Sequence, residues 1–287
     1  MSAADGSPSL VASDVDGTLL DDQNRITPAT VDAVTAAARA GVDLVLATGR
    51  PPRWIAEVTD QLPVPPDLAA ARPGGSLVRY AVCANGAIVY DLENDRILHA
   101  AELEVPRLRK LIEILDEVLP DAGLAAERAG ASAHDSATRP FVATSGYEHA
   151  WLNPDHELVD DVDLADAPAV KLLARAPQMR SEEMAELLVP AVGDLAAVTF
   201  STSNGLVELA VPDTHKASGL LTLAHLRDLP IEAVVAFGDM PNDVEMLRWA
   251  HHGVAMGHGH PEAIAAADEV APSNNDDGVA SVLRRHF

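Results

Sequence analysis

Short apolar runs alternate with stretches of helical spacing at both ends of the chain, and each run stops at a cluster of small or polar residues. Ser9-Leu10-Val11-Ala12 stops at Asp14-Val15-Asp16-Gly17-Thr18, and Val42-Asp43-Leu44-Val45-Leu46 at Ala47-Thr48-Gly49-Arg50. Val78 to Ala84 stops at Asn85-Gly86, a strong turn signal. Late in the chain, Ala233-Val234-Val235-Ala236-Phe237 stops at Gly238-Asp239-Met240-Pro241-Asn242-Asp243, and Gly253-Val254-Ala255-Met256 at Gly257-His258. Between the runs, Thr27 with Pro28 is an N-cap and first-turn pair that opens a helix to about Ala40. Further helices are expected from about Pro51 to Leu62, from Asp243 to about Ala250, and from Pro261. Pro63 to Ser76, rich in proline, alanine and glycine, reads as a surface loop. Short apolar strands alternating with helices predict an α/β fold with a doubly wound parallel sheet.

Residues 87–212 break this rhythm. They predict a hairpin around Ile88–Asp91 and Arg96–His99, and a helix near Pro106–Leu119. A strand at Val170–Arg175, a helix at Ser181–Val189, and strands at Ala196–Ser201 and Leu206–Ala210 follow. The expected organisation is a core from 1–86 and 213–287 with an inserted α+β domain at 87–212. No internal repeat is present.

Composition narrows the class. With 48% hydrophobic residues and a mean hydropathy of +0.06, the 287-residue chain predicts a soluble globular protein with a sizeable core. No apolar run approaches the length that spans a bilayer, and Met1 to Pro8 lack a signal-peptide pattern. The lone cysteine, Cys83, lies in an apolar run and reads as a buried small hydrophobe, which suits a reducing cytoplasm. A net charge of −24 argues against nucleic acid or an anionic membrane as partner. An anionic substrate would then need a divalent cation and a few placed basic groups. Lysine occurs only at Lys110, Lys171 and Lys216.

Ligands of open parallel sheets bind beyond the carboxyl ends of the strands. Four segments place polar residues there or at an adjacent helix start: Asp14/Asp16, Thr48-Gly49-Arg50, Lys216 and Asp239/Asn242/Asp243. Asp14/Asp16 alone is also consistent with a solvated acidic turn, Thr48-Gly49 with a plain strand-to-helix turn, and the last with a turn plus N-cap. An EF-hand is excluded, because Gly17 stands at position four of the loop and the motif needs glycine at six. Lys216 stands near a helix start, where the macrodipole disfavours a cation, and so points to an anionic ligand.

In this order the four segments resemble the haloacid dehalogenase (HAD) superfamily of phosphotransferases, and its Cof-type branch, subfamily IIB, in particular. Asp14-Val15-Asp16-Gly17-Thr18 is similar to its first motif, Thr48-Gly49-Arg50 to its second, Lys216 to its third and Gly238 to Asp243 to its fourth. Asn85-Gly86-Ala87 and the tail from Gly253 through Ala280 also look like that branch. The resemblance implies a Rossmann-like core with an inserted α+β cap that sets substrate specificity. It implies a Mg²⁺-dependent phosphatase of small phosphorylated metabolites, sugar phosphates or phosphorylated cofactors. Asp14 is then the nucleophile, Asp16 a proton donor and acceptor that needs a raised pKa, and Thr48, Gly49, Arg50, Lys216 and Asn242 the phosphate- and substrate-binding set, with Thr48 and Lys216 also catalytic. For Arg50, facing the cap or forming a structural ion pair are the alternatives. The implied Mg²⁺ ligands are Asp14, Asp16 through its carbonyl, Asp239 and Asp243.

Two positions depart from the branch: Ala217 follows the lysine where glycine is common, and His258 stands where asparagine is usual. Closely spaced His251, His252, His258 and His260 could hold a soft metal, although a glycine-flanked surface loop is the simpler reading. In the insert, His134, Arg139, Tyr147 and Lys171 are candidate specificity residues. A phosphomutase of the same superfamily, or a non-catalytic binding protein on this scaffold, are the alternative functions.

Overall fold

The computed structural model describes residues 8–149 and 156–287. They divide into two compact units, one from Met1–Leu98 with His215–Phe287 and one from His99–Thr214.

In the first unit the continuous apolar runs become parallel strands buried on both faces, as expected where helices cover both sides of a sheet. In chain order the elements are β1 (Leu10–Ser13), α1 (Pro28–Arg39), β2 (Asp43–Ala47), α2 (Ala56–Thr59), β3 (Val78–Cys83), β4 (Ile88–Asp91) and β5 (Arg96–Ala100). Numbering resumes after the insert with α6 (Lys216–Arg227), β12 (Val234–Gly238), α7 (Val244–Trp249), β13 (His252–Met256), α8 (Pro261–Ala266), β14 (Glu269–Ala271) and α9 (Gly278–Leu283). The eight strands are ordered β14-β13-β12-β1-β2-β3-β4-β5. β1 lies centrally, parallel to β12 and β2, with Ser13 level with Phe237 and Leu46. The carboxyl ends of β1, β2 and β12 therefore meet along one edge, the position the doubly wound topology reserves for ligands. Thr27 caps α1 by accepting the Thr30 N–H, with Pro28 in the first turn. Cys83 is fully buried.

Two expectations are corrected here. The hairpin assigned to the insert extends the core sheet: β4 pairs antiparallel with β3, Cys83 against Ile88 and Val82 against Val89, so the insert begins at His99. The helix expected from Pro51 to Leu62 is only a turn at Pro52–Trp54 followed by α2, with i→i+3 bonds from Ile55 to Pro52 and from Val58 to Ile55 in place of a continuous α-helical ladder.

The turn after β3 is unusual, with Ala84, Asn85 and Gly86 all at positive φ. Gly86, at φ +104°, packs so closely on the start of α6 that a Cβ there would lie 2.1 Å from the His215 carbonyl oxygen. Gly86→Ala is expected to cost more than about 2 kcal/mol of stability, combining left-handed strain with overpacking. Urea unfolding checks this, and an unchanged midpoint would contradict the close approach.

The second unit contains α3 (Val105–Val118), β6 (Gly123–Glu127), β7 (Phe141–Ala143), β8 (His156–Leu158), α4 (Asp161–Leu164), β9 (Lys171–Arg175), α5 (Ser181–Val192), β10 (Ala197–Thr199) and β11 (Leu206–Ala210). Its sheet runs β10-β11-β9-β6-β7-β8 and is antiparallel except where β8 joins β7. Alternate strand residues Leu124, Ala126, Leu172, Ala174, Val207 and Leu209 form one core with Leu108, Leu111 and Leu115 of α3 and Met184 and Leu188 of α5. The opposite face carries Ala125, Leu173 and Leu206 with Phe141 and Tyr147.

Candidate active site

The strand ends of the first unit build the site. The Asp14 N–H donates to the Phe237 carbonyl at 2.9 Å, continuing the β1–β12 ladder by one residue. The chain then turns through Gly17 at φ +77°, and a Cβ there would lie 2.6 Å from Asp239 Oδ2. Only glycine lets the first loop approach the Asp239 carboxylate this closely. Thr18 Oγ1 donates to Asp239 Oδ1 at 2.9 Å.

Lys216 enters from α6. His215 and Ser218 form a reciprocal cap: His215 Nδ1 accepts the Ser218 N–H and Ser218 Oγ accepts the His215 N–H. The fully buried Lys216 Nζ donates to Asp14 Oδ1 at 2.5 Å and to Asp243 Oδ1 at 2.6 Å. Its position at a helix start implies an anionic ligand; the anions it meets here are the protein's own Asp14 and Asp243 carboxylates. α6 packs tightly at Gly219, where a Cβ would lie 2.4 Å from Val82 Cγ1. Ala217, the departure after the lysine, simply packs in the core.

Asp243 is committed on both oxygens. Its Oδ2 accepts the Asp239 and Met240 N–H groups at 3.0 and 2.9 Å while Oδ1 takes Lys216, so its carboxylate shapes the loop that carries Asp239. Asp14, Asp239 and Asp243 are all buried, with one carboxylate oxygen of each within 4.8 Å of the others, facing a single ammonium. The consequence is electrostatic frustration. Burial, then the neighbouring Asp243, Asp239 and Asp16 carboxylates, push the Asp14 carboxyl well above the usual range despite Lys216. Burial and Asp243 raise Asp239 to about 6. Burial alone would discharge Lys216, but Asp14 and Asp243 outweigh it and hold its pKa above the ordinary lysine value.

A divalent cation with oxygen ligands fits this donor set: hard carboxylates crowd together with too little positive charge. Asn242 supports the fit, since its buried Oδ1 has no hydrogen-bond partner although its Nδ2 donates to Asn85 Oδ1 at 3.0 Å. A raised carboxyl pKa means that protons compete with a cation. Because Asp239 sits near 6, apparent divalent-cation affinity is expected to rise as the pH climbs from about 5 to about 7, by up to about tenfold per unit on the acid side. Calorimetric titrations at several pH values check this, and a pH-independent affinity would contradict it.

Asp16 and Arg50 pair with each other. Arg50 Nη2 and Nε fork onto the Asp16 carboxylate at 2.6 and 2.9 Å, with Glu57 3.5 Å from Nη1. The fork is a bidentate, charge-assisted contact. For Arg50 this is the structural ion pair, the alternative to a phosphate contact. Thr48 is fully buried between β2 and β3, its N–H donating to Val82 and its Oγ1 accepting from the Arg50 N–H at 3.1 Å. Gly49 follows it at the same edge.

The four histidines do not converge. His251 Nδ1 accepts the Val234 N–H, His252 pairs with Glu269, and His260 caps α8. Only His258 approaches the carboxylates, its Nε2 3.8 Å from Asp239 Oδ2. Within the second unit, Lys171 is buried and pairs with Glu208 at 2.8 Å, while Arg139 pairs with Asp166 and Glu157 at the surface. Tyr147 is buried, and that burial raises its phenol pKa. His134 is exposed.

Residues 11–283 match the model of the haloacid dehalogenase-like hydrolase family, and the chain belongs to that family. It is a hydrolase of the Cof-type phosphatase branch. It is 26% identical over 302 residues to the phosphatase YwpJ of Bacillus subtilis, covering 96% of this chain and 98% of that one. It is likewise 26% identical over 283 residues to the pyridoxal phosphate phosphatase YbhA of Escherichia coli, covering 97% and 98%. Among solved structures it shares its fold with BT1666, a HAD phosphatase of Bacteroides thetaiotaomicron, at TM-score 0.74 and 20% identity over 100% and 97% of the two chains. No helix among the described residues is long and apolar enough to cross a membrane.

Proposed function

We propose that the chain hydrolyses small phosphomonoesters in a Mg²⁺-dependent reaction through an aspartyl-phosphate on Asp14. The observation that carries this is Lys216 Nζ held between Asp14 and Asp243 at the carboxyl edge of the sheet, with Asp239 beside them. Asp14 and Asp239 with the Asp16 carbonyl would hold Mg²⁺, which when bound supplies positive charge against the phosphate. Lys216 pulls against the protonation that burial favours at Asp14, aligns its carboxylate, and offsets charge on the transferring group. An Asp14 oxygen attacks phosphorus as the bond to the leaving oxygen breaks, and Asp16 gives that oxygen its proton. Water then attacks the acyl phosphate, returns a proton to Asp16 and releases inorganic phosphate. To carry that proton Asp16 must leave the Arg50 fork, and Glu57 offers Arg50 an alternative carboxylate. Thr48 Oγ1, whose O–H can still donate, and the Gly49 N–H lie at the edge where phosphoryl oxygens would rest.

Relatives support a small substrate. YbhA is named for pyridoxal phosphate, and YcsE of B. subtilis, 25% identical, for 5-amino-6-(5-phospho-D-ribitylamino)uracil. The test is phosphate release over a panel of phosphorylated sugars and cofactors, with EDTA and after Mg²⁺ is restored. Release that stops with EDTA and returns with Mg²⁺ is expected. Release indifferent to EDTA, or transfer within the substrate without free phosphate, would overturn the reading.

A further inference from the structure

We propose that His258 supplies an imidazole nitrogen to the divalent ion held at Asp14 and Asp239, and so shifts the site's preference from Mg²⁺ toward ions such as Co²⁺. The inference rests on the metal-binding part of the reading above and goes beyond it in naming a nitrogen ligand.

The geometry is built from backbone. The Gly259 N–H donates to the Met256 carbonyl at 2.8 Å and the His260 N–H to the Asp239 carbonyl at 2.7 Å, so the turn after β13 is tied to the metal loop itself. Gly259 sits so close that a Cβ there would lie 2.9 Å from the Asp239 carbonyl oxygen. This tie carries His258 to the carboxylate. Of the two Asp239 oxygens, Oδ1 is occupied by Thr18, and Oδ2 is the one facing His258 Nε2 at 3.8 Å. Two donors each about 2.1 Å from a shared ion stand at most about 4.2 Å apart, so the separation from Asp239 lies within the span one ion bridges. The imidazole lies outside the Asp14, Asp239 and Asp243 cluster and must turn toward Asp14 to join the same ion. His258 is 38% exposed, with room to adjust. The other nearby histidines are engaged elsewhere, which leaves one imidazole for the site.

Mg²⁺ prefers an all-oxygen shell, whereas imidazole adds affinity for Co²⁺, Ni²⁺ and Zn²⁺ in that setting. The experiment compares the full-length protein with His258→Asn, which offers an oxygen donor on an exposed turn. Mg²⁺ and Co²⁺ are titrated separately by calorimetry, and pulsed electron paramagnetic resonance on the Mn²⁺-loaded protein looks for ¹⁴N coupling. The expected result is a Co²⁺ affinity about tenfold lower in the variant with Mg²⁺ affinity changed less than about twofold, and nitrogen coupling present only in the wild type. An unchanged Co²⁺-to-Mg²⁺ ratio, or no nitrogen coupling in the wild type, would overturn the proposal while leaving phosphate hydrolysis intact. Failure of either ion to bind would overturn the metal reading and the proposal together.

Discussion

Asp14→Asn is expected to reduce phosphate release by more than about 10⁴-fold, beyond the range for a lost proton-transfer group, because it removes the attacking oxygen's charge. The same substitution should leave the protein at least as stable as the parent. Burial and three neighbouring carboxylates already push the Asp14 carboxyl upward, so an uncharged amide relieves repulsion. Lys216 keeps its second partner, Asp243, at 2.6 Å. Loss of turnover with an equal or higher thermal midpoint would mark Asp14 as a group held in place at a cost to folding. Turnover within tenfold of the parent would exclude it as nucleophile.

Lys216→Met produces the second large effect, and here stability and activity fall together. The ammonium is fully buried and faces two carboxylates, and methionine fills its volume without its charge. Asp14, Asp239 and Asp243 are then left crowded with no cation among them. Breaking a buried ion pair in this way costs about 3–5 kcal/mol, and loss of charge compensation at the phosphoryl group should lower kcat by a further 10²-fold or so. Mg²⁺ should restore part of the lost stability by binding the folded state. The deficit should also shrink toward acid pH: Asp239, raised to about 6, takes up a proton in the folded state before it does unfolded, which removes one of the repelling charges. Urea unfolding with EDTA, with Mg²⁺, and at two pH values measures all of this, and a variant as stable as the parent in EDTA would contradict the clamp.

The core was readable because both levels of its code are local. A continuous apolar run is a two-face-buried strand, and the residue that ends it stands at the ligand edge, so Asp14, Thr48 and Asp239 could be placed at one edge from their runs alone. The hairpin was misassigned because β4 and β5 pair locally whichever sheet they join, and their register against β3 is a tertiary fact. β6 was missed because Gly-Leu-Ala-Ala-Glu has little intrinsic strand preference and owes its state to neighbours on both sides.

The site was legible in its membership but less so in its pairings. Arg50 closes on Asp16, thirty-four residues away, and nothing in either segment indicates which anion a guanidinium will choose. Asp243 spends both oxygens on Lys216 and its own loop, which spacing cannot reveal. His258 was visible as a departure at its position, but its distance from Asp239 comes only from the turn that folds back on that loop.

The central claim is that a phosphoryl group passes through Asp14. Mixing the Mg²⁺-loaded protein with a ³²P-labelled substrate identified in the panel, quenching in acid within one turnover and mapping the label by peptide mass tests it directly. The account predicts label on the peptide carrying Asp14, released by hydroxylamine as an acyl phosphate and absent from Asp14→Asn. Full turnover with no label on that peptide, or label on another residue, would contradict it.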